Sequence, residues 1–285
     1  MKVYVTGSSG QLGYDVIKEL KNRDYDYITT RVDITDENTI TDFILNYKPD
    51  AVIHCAALTN VDFAENNIED AINVNTCGTR NIAKACKEAE CKMLYVSTDY
   101  VYGSNDNSPL DPDNNECVPC NVYGATKLNG ELEAVSYCNK LFIVRISWLF
   151  GLNGNNFVKA ILKASKNTNI NVVSDQFGIP TYTKDLARLL VDMIETDKYG
   201  KYNVSNDGEY ISRYELAKKI FDISGYDNNV IPVTTEEYEI RNKKCKRQLN
   251  SRFDMSKLVR NGFRLLPNWN DAIERYIDEL KEGTK

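Results

Sequence analysis

Apolar positions in the first half of the chain alternate between two rhythms. Short, nearly continuous apolar runs at 2–6, 25–29, 51–55, 92–96 and 142–147 read as strands buried on both faces. Between them the spacing turns helical: residues 11–20 bring Leu12, Val16 and Leu20 onto one face. Asp36 is placed to cap a helix running to about residue 46, and Pro49 ends that segment before the next strand. A long helix is predicted around 68–89 and another over about 123–137. Strands alternating with helices imply a parallel sheet covered on both faces, a doubly wound α/β fold.

After Gly151 the alternation becomes irregular. Helices are predicted over 156–165, 184–196 and 213–224, and Pro232 and Pro267 punctuate a mixed tail. No glycine- or serine-rich linker separates the halves, and no internal repeat is present. The tail is therefore expected to pack onto the sheet as a smaller region facing a substrate.

Composition narrows the partners. With 285 residues, 42% hydrophobic and 27% charged, the chain can bury a sizeable core. Its net charge of −6 argues against nucleic acid or an anionic membrane as the main partner. No apolar run approaches the roughly 18 residues of a membrane span. Met1-Lys2 leads straight into a strand, which reads as no signal peptide. The eight cysteines lack the spacing of a disulfide framework, so reduced thiols in a cytoplasm are expected.

Gly7-Ser-Ser-Gly10-Gln11-Leu12-Gly13 lies where a strand ends and a helix begins. Gly7 permits a tight turn, Gly10 lets the backbone approach a pyrophosphate, and Gly13 lets helix and strand pack closely. The helix N-terminus at Gln11 and Leu12 offers unpaired N–H groups to phosphates. The spacing is one residue longer than the common dinucleotide fingerprint. At the end of the second strand, where an acid usually binds the ribose of NAD, stands Thr29-Thr30-Arg31. Arg31 either pairs with a 2′-phosphate or is a solvated loop arginine. Asp33 and Ile34 follow where an adenine edge would lie. The cofactor is NADH or NADPH.

Tyr123-Gly-Ala-Thr-Lys127 answers that turn. Tyrosine and lysine one helical turn apart share a face. A nearby ammonium favours phenolate and would lower the tyrosine pKa from its usual 10 or so toward working pH. Lys127 would also hold the nicotinamide ribose. Thr98, just after the 92–96 strand, sits at a carboxyl strand end, where its hydroxyl would bond a substrate carbonyl. Together these residues point to an oxidoreductase whose catalytic acid is a phenol.

At this point the chain resembles the extended short-chain dehydrogenase/reductases, and within them the dTDP-4-dehydrorhamnose reductase family. The resemblance runs nearly end to end, through residues 3–13, Asn73-Val-Asn75, Ser97-Thr-Asp-Tyr-Val101, Asn121 to Lys127, Arg145-Ile-Ser-Trp148 and Asp175-Gln-Phe-Gly-Ile-Pro-Thr181. It implies a Rossmann domain over 1–150 and a mostly substrate-binding region over 151–285, interleaved with the sheet. It further implies reduction of the C4 ketone of dTDP-4-dehydro-L-rhamnose, with Tyr123 as proton donor, Lys127 its partner and Thr98 the carbonyl contact. Ala56, Ala57 and Leu58 would line the cofactor, and Asp99, Tyr100 and Trp148 would meet the nucleotide sugar. Related dehydratases carry glutamate where Tyr100 stands, so water elimination is not expected. A homodimer is compatible with the resemblance, although no surface segment demands one. Some members join a glutamate at the position of Asp15 to magnesium at a dimer interface. Aspartate is shorter, and no metal is expected here.

Other features are weighed against blander readings. His54, the only histidine, reads as an interior hydrogen-bonding residue. Cys117-Val-Pro-Cys120 has no second pair and reads as incidental. Trp148 is either core or substrate contact, and Asn75 either relays protons or ties a helix to a strand. The run from Arg241 to Arg247 reads as a solvated loop more readily than as cations near a diphosphate. Competing functions are another nucleotide-sugar reductase or epimerase on this scaffold, and a non-catalytic regulatory subunit resembling that of methionine adenosyltransferase. The Thr98, Tyr123 and Lys127 set weighs against the latter.

Overall fold

A computed structural model of the chain describes residues 1–114 and 116–283. Six strands form one parallel sheet: β1 (Lys2–Thr6), β2 (Asp26–Thr29), β3 (Ala51–His54), β4 (Lys92–Thr98), β5 (Leu141–Ile146) and β6 (Gly200–Val204). Their spatial order is β6-β5-β4-β3-β1-β2. The chain steps from β1 outward to β2 and then returns to β3 on the other side of β1. That reversal opens a crevice beyond the carboxyl ends of β1 and β3, where such sheets bind ligands.

Alternation along the strands divides the core in two. Val3, Val5, Ile53 and Leu94 face the helices Gln11–Asn22 and Thr183–Ile194, meeting Leu12, Val16, Leu186 and Leu190. Tyr4, Val52, Met93 and Tyr95 face the opposite layer, the helices Glu37–Tyr47, Gly78–Glu88 and Val122–Tyr137, through Ile40, Ile44, Ile82 and Ala134. Strands buried on both faces explain the continuous apolar runs.

Beyond residue 150 the chain divides its allegiance. The Thr183–Ile194 helix and β6 join the sheet layers. Helices Phe157–Ala164, Arg213–Ser224 and Trp269–Glu282 build a separate core on Phe150, Tyr182 and Tyr276. There Phe150 stacks on Tyr182 at 5.1 Å and meets Tyr276 edge-on at 5.2 Å. The helix Arg213–Ser224 starts on a Ser212–Glu215 capping box and stops at left-handed Gly225.

The helix predicted as continuous around 68–89 is broken. It comprises Ile68–Ala71, a π-helical stretch Ile72–Cys77, and Gly78–Glu88. The break sits at Asn75, whose amide leaves the helix to clamp the Leu58 backbone: Leu58 N–H donates to Oδ1 (2.9 Å), and Nδ2 donates to the Leu58 carbonyl (3.1 Å). Bulges of this kind are common at functional sites. An additional short helix, Val61–Asn66, precedes it, capped by Asn60. No helix among the described residues is long and apolar enough to cross a membrane.

Candidate active site

A cleft of about 700 Å³ lies over the carboxyl ends of β1, β3 and β4. At one end is the glycine turn. Gly7 has φ +66, and a Cβ there would meet Ala56 N at 2.6 Å, so only glycine brings this turn against the β3 end. Gly10, Gln11, Leu12 and Gly13 line the same wall, Ala56 and Ala57 the facing one. Thr30, Val32, Asp33 and Ile34 close the far side. Two expected cofactor contacts lie off the cleft wall. Arg31 is exposed after the edge strand β2, and Leu58 has its backbone clamped by Asn75. Asn75 thus ties helix to strand end, and its Nδ2 also reaches Thr126 on the Tyr123 helix (3.1 Å).

The other end of the cleft is built by the β4 end and the helix Val122–Tyr137. Asn121 caps that helix by accepting from the Gly124 N–H at 2.9 Å, which fixes Tyr123 in its first turn. Burial pushes the Tyr123 phenol pKa up, with the Thr98 hydroxyl the hydrogen-bonding group that draws it down. The lowering expected from Lys127 is not found. Its ammonium donates to the Val96 carbonyl (2.8 Å) and lies 4.0 Å from the Tyr95 ring centroid. Burial lowers the Lys127 pKa to about 7. The lysine is therefore poised near neutrality in the cleft floor, while the phenol stays protonated, the form a proton donor requires.

Three successive residues at the β4 end reach three different partners. Thr98 donates to Asp99 Oδ1 (3.0 Å) and faces Tyr123. Asp99 Oδ2 accepts from Ser251 Oγ (2.6 Å) and Gln248 Nε2 (3.1 Å), so the carboxylate fastens the C-terminal segment. Burial raises its pKa against those bonds. The Tyr100 ring meets Tyr123 edge-on at 5.7 Å, and its hydroxyl accepts from Arg247 Nη1 (3.3 Å). Trp148 lines the cleft with φ +50, a strained conformation for a bulky residue.

Over the Trp148 ring, 3.9 Å from its centroid, lies the Arg213 guanidinium, which is also 5.0 Å from the Phe157 ring centroid. Among the described residues no carboxylate forms an ion pair with Arg213, and burial lowers its pKa to about 10. Sequence reading missed Arg213. It lies beyond the motif-bearing region, in a capped helix N-terminus that reads as structural. Arg247, from the supposedly solvated run, is anchored by Asp62 (3.1 Å) and turned toward Tyr100.

His54 is interior. Thr79 Oγ1 donates its proton to the Asn75 carbonyl (2.7 Å), so it must accept from His54 Nε2 (3.2 Å), leaving Nδ1 to accept from Thr6 (2.7 Å). Burial lowers its pKa to about 3. Cys117 and Cys120 direct their thiols to different carbonyls, Asn114 and Lys246. Asp15 lies buried at the side of the first helix, away from the cleft. Its carboxylate is buried and accepts from Thr183 Oγ1 (2.5 Å), and the nearby Glu279 pairs with Lys184. Among the described residues no group of side chains forms a metal cluster.

The sequence profile of the RmlD substrate binding domain family matches residues 1–282. The chain is 34% identical to a dTDP-4-dehydrorhamnose reductase of Aggregatibacter actinomycetemcomitans, over 96% of this chain and 97% of that one. It is 35% identical to the spore coat polysaccharide biosynthesis protein SpsK of Bacillus subtilis, over 98% and 97%. The crystal structure of dTDP-4-dehydrorhamnose reductase from Bacillus anthracis in complex with NADP superposes with a TM-score of 0.91 at 40% identity, covering 98% of this chain and 99% of that one.

Proposed function

Since the chain belongs to the dTDP-4-dehydrorhamnose reductase family, and is an NAD(P)H-dependent nucleotide-sugar reductase, we propose that its substrate is dTDP-4-dehydro-L-rhamnose and its product dTDP-L-rhamnose. The observation that carries this reading is the convergence of Thr98, Tyr123 and Lys127 at one end of a cleft whose other end is the glycine turn. When bound, the reduced nicotinamide would supply hydride to the sugar C4. The Tyr123 phenol holds the carbonyl oxygen and gives the proton, and the Thr98 hydroxyl is the second donor once it turns from Asp99 Oδ1 to the carbonyl. Lys127, on the cleft floor one turn along the same helix, would hold the nicotinamide ribose hydroxyls.

Residues 1–150 then serve as the cofactor half and 151–285 as mostly the substrate half. Tyr100, Trp148 and Asp99 shape the sugar end, Asp99 indirectly through the segment it fastens. Arg213 and Arg247 supply cations for the substrate diphosphate, with Arg213 the stronger candidate because no carboxylate among the described residues forms an ion pair with it. Gly7, Gly10, Gln11, Leu12 and Gly13 receive the cofactor pyrophosphate, and Asp33, Ile34, Ala56 and Ala57 flank its adenosine and nicotinamide ends. The work is cytoplasmic, where the reduced cofactor is held.

The test is loss of nicotinamide absorbance on adding dTDP-4-dehydro-L-rhamnose, with NADH and NADPH run in parallel. Tyr123→Phe should lower turnover by about 10²–10⁴ with cofactor affinity unchanged. Wild-type turnover in that variant would remove the phenol from the mechanism. Turnover of a different 4-keto sugar in place of this one would overturn the substrate assignment alone. A relative 32% identical over 81% of the chain, the dTDP-4-keto-6-deoxy-D-glucose reductase of Streptomyces niveus, makes that sugar the comparison to run.

A further inference from the structure

The second half of the chain reaches back to the glycine turn through one loop, residues 151–156. Asn153 Nδ2 donates to the Ser9 carbonyl (2.7 Å) and the Gly10 carbonyl (3.3 Å). Asn156 Nδ2 donates to the side chain of Gln11, at Oε1 (2.9 Å). The loop is itself held by the helix it leads into, since Lys159 Nζ donates to the Leu152 carbonyl (2.6 Å) and the Gly154 carbonyl (2.8 Å). Gly154 and Asn155 line the same cleft as Gly10 and Gln11.

The partners of Asn156 fix the orientation of both amides. Its Oδ1 accepts from the Lys159 N–H (3.0 Å), capping the helix Phe157–Ala164, and a backbone N–H can only donate. At its other end Nδ2 donates to the Gly151 carbonyl (2.9 Å), which can only accept. The Gln11 atom bonded to that nitrogen therefore has to be the amide oxygen. Gln11 Nε2 is the end left over. It has no hydrogen-bond partner among the described residues, on a side chain that lines the cleft. Gln11 is also the first residue of its helix, and the N-cap Gly10 offers no side-chain cap. Its amide thus joins backbone N–H groups that are open to an anion.

We propose that Asn156 is a positioning residue of the cofactor site: by holding Gln11 Oε1 it presents Gln11 Nε2 to the cofactor pyrophosphate, so that a residue from the second half of the chain completes the phosphate turn. This rests on the glycine turn receiving the pyrophosphate. Asn156→Ser is the first variant, because serine caps a helix about as well as asparagine and has no N–H to offer Gln11. The Gly151 carbonyl keeps its bond from the Tyr276 hydroxyl (2.9 Å) in that variant. Gln11→Met is the second, removing the amide while keeping the length of the side chain. The third combines both.

Glutamine occurs only at positions 11, 176 and 248, so in protein carrying ¹⁵N in glutamine and glycine the Gln11 amide signal is assigned by its loss in Gln11→Met. In wild type that signal should shift on adding NADPH, and on adding ADP-ribose, which carries the pyrophosphate without the nicotinamide. Each single variant should bind both ligands about tenfold more weakly, the size of one hydrogen bond to a charged group. KM for NADPH should rise accordingly, with kcat and KM for the sugar little changed. The combined variant should bind no more weakly than either single one, because Asn156 acts through Gln11. Losses that multiply in the combined variant overturn the proposal and leave Asn156 as a cap of its own helix. So does a Gln11 signal that stays in place while the Gly7, Gly10 and Gly13 signals move on binding. If the glycine signals also stay in place as NADPH binds, the reading of the turn falls, and the inference with it.

Discussion

Gly13→Ala sets two effects of known size against each other. Gly13 lies in the first turn of the helix Gln11–Asn22, where alanine is the better helix former by about 1 kcal/mol. A Cβ there, however, would stand 2.3 Å from the Gly7 carbonyl oxygen and 2.8 Å from Ser8 Cα. These are backbone atoms with little room to move. The Gly7 carbonyl already accepts from Gly10 N–H at 2.9 Å, and Gly7 is backed against the Ala56 backbone. Overpacking costs about 1–3 kcal/mol, and two constrained main chains put this case at the upper end. The clash therefore wins by about 2 kcal/mol, a fall in unfolding temperature of roughly 4 °C for a chain of this size. Because the strain is relieved by displacing the turn that would receive the pyrophosphate, NADPH and NADH should bind at least about tenfold more weakly, equivalent to about 1.4 kcal/mol. Thermal unfolding and a nicotinamide fluorescence titration measure the two effects separately. An unfolding temperature at or above wild type with unchanged cofactor affinity would show that propensity wins and that the turn is not the rigid element described.

Arg213→Met keeps an apolar stem against Trp148 and removes only the charge, so KM for the nucleotide sugar should rise about 10- to 100-fold, with cofactor affinity constant. Steady-state kinetics showing an unchanged KM would place the diphosphate elsewhere. His54 gives a pH prediction with a definite sign. Burial depresses its folded pKa to about 3 from the usual 6.5 or so, and the unfolded chain takes up the proton first. The stability it contributes is complete above about pH 6.5 and is lost as pH falls toward 3, on the order of a few kcal/mol across that window. His54→Gln should lose less stability than wild type between pH 7 and pH 5 in urea unfolding, and parallel losses would mean the ring is not held neutral.

The sheet was legible because strands buried on both faces leave unmistakable apolar runs, and the glycine turn because its glycines answer steric demands that no other residue meets. Legibility failed where side chains from distant segments decide the outcome. Nothing in the periodicity of residues 68–89 announces that the Asn75 amide is committed to Leu58 and Thr126, so the helix reads as unbroken. β6 lies at the sheet edge, past the point where strands and helices alternate regularly, and its strand character comes from pairing with β5. Arg31 follows the second strand at the place where a ribose contact is usual, yet it is exposed and not among the residues that line the cleft. Tyr123 and Lys127 were found by spacing. The actual electrostatics were not, since burial of the phenol and the turn of the ammonium toward Val96 depend on what packs over them.

The β4 end shows why the two halves of the protein cannot be assigned their work independently. Thr98 addresses Tyr123, Asp99 fastens Gln248 and Ser251, and Tyr100 meets Arg247. Adjacent residues of a strand end point in different directions, so one tripeptide fixes the proton donor's neighbour and, at the same time, the position of the C-terminal wall. A shift of the wall would pull on Asp99, which also accepts from Thr98. The hydroxyl proposed to hold the carbonyl is thus coupled to the segment proposed to hold the rest of the substrate. In this arrangement, binding contacts made far from the ketone can bear on the geometry of proton transfer, which is how remote binding energy is turned into rate.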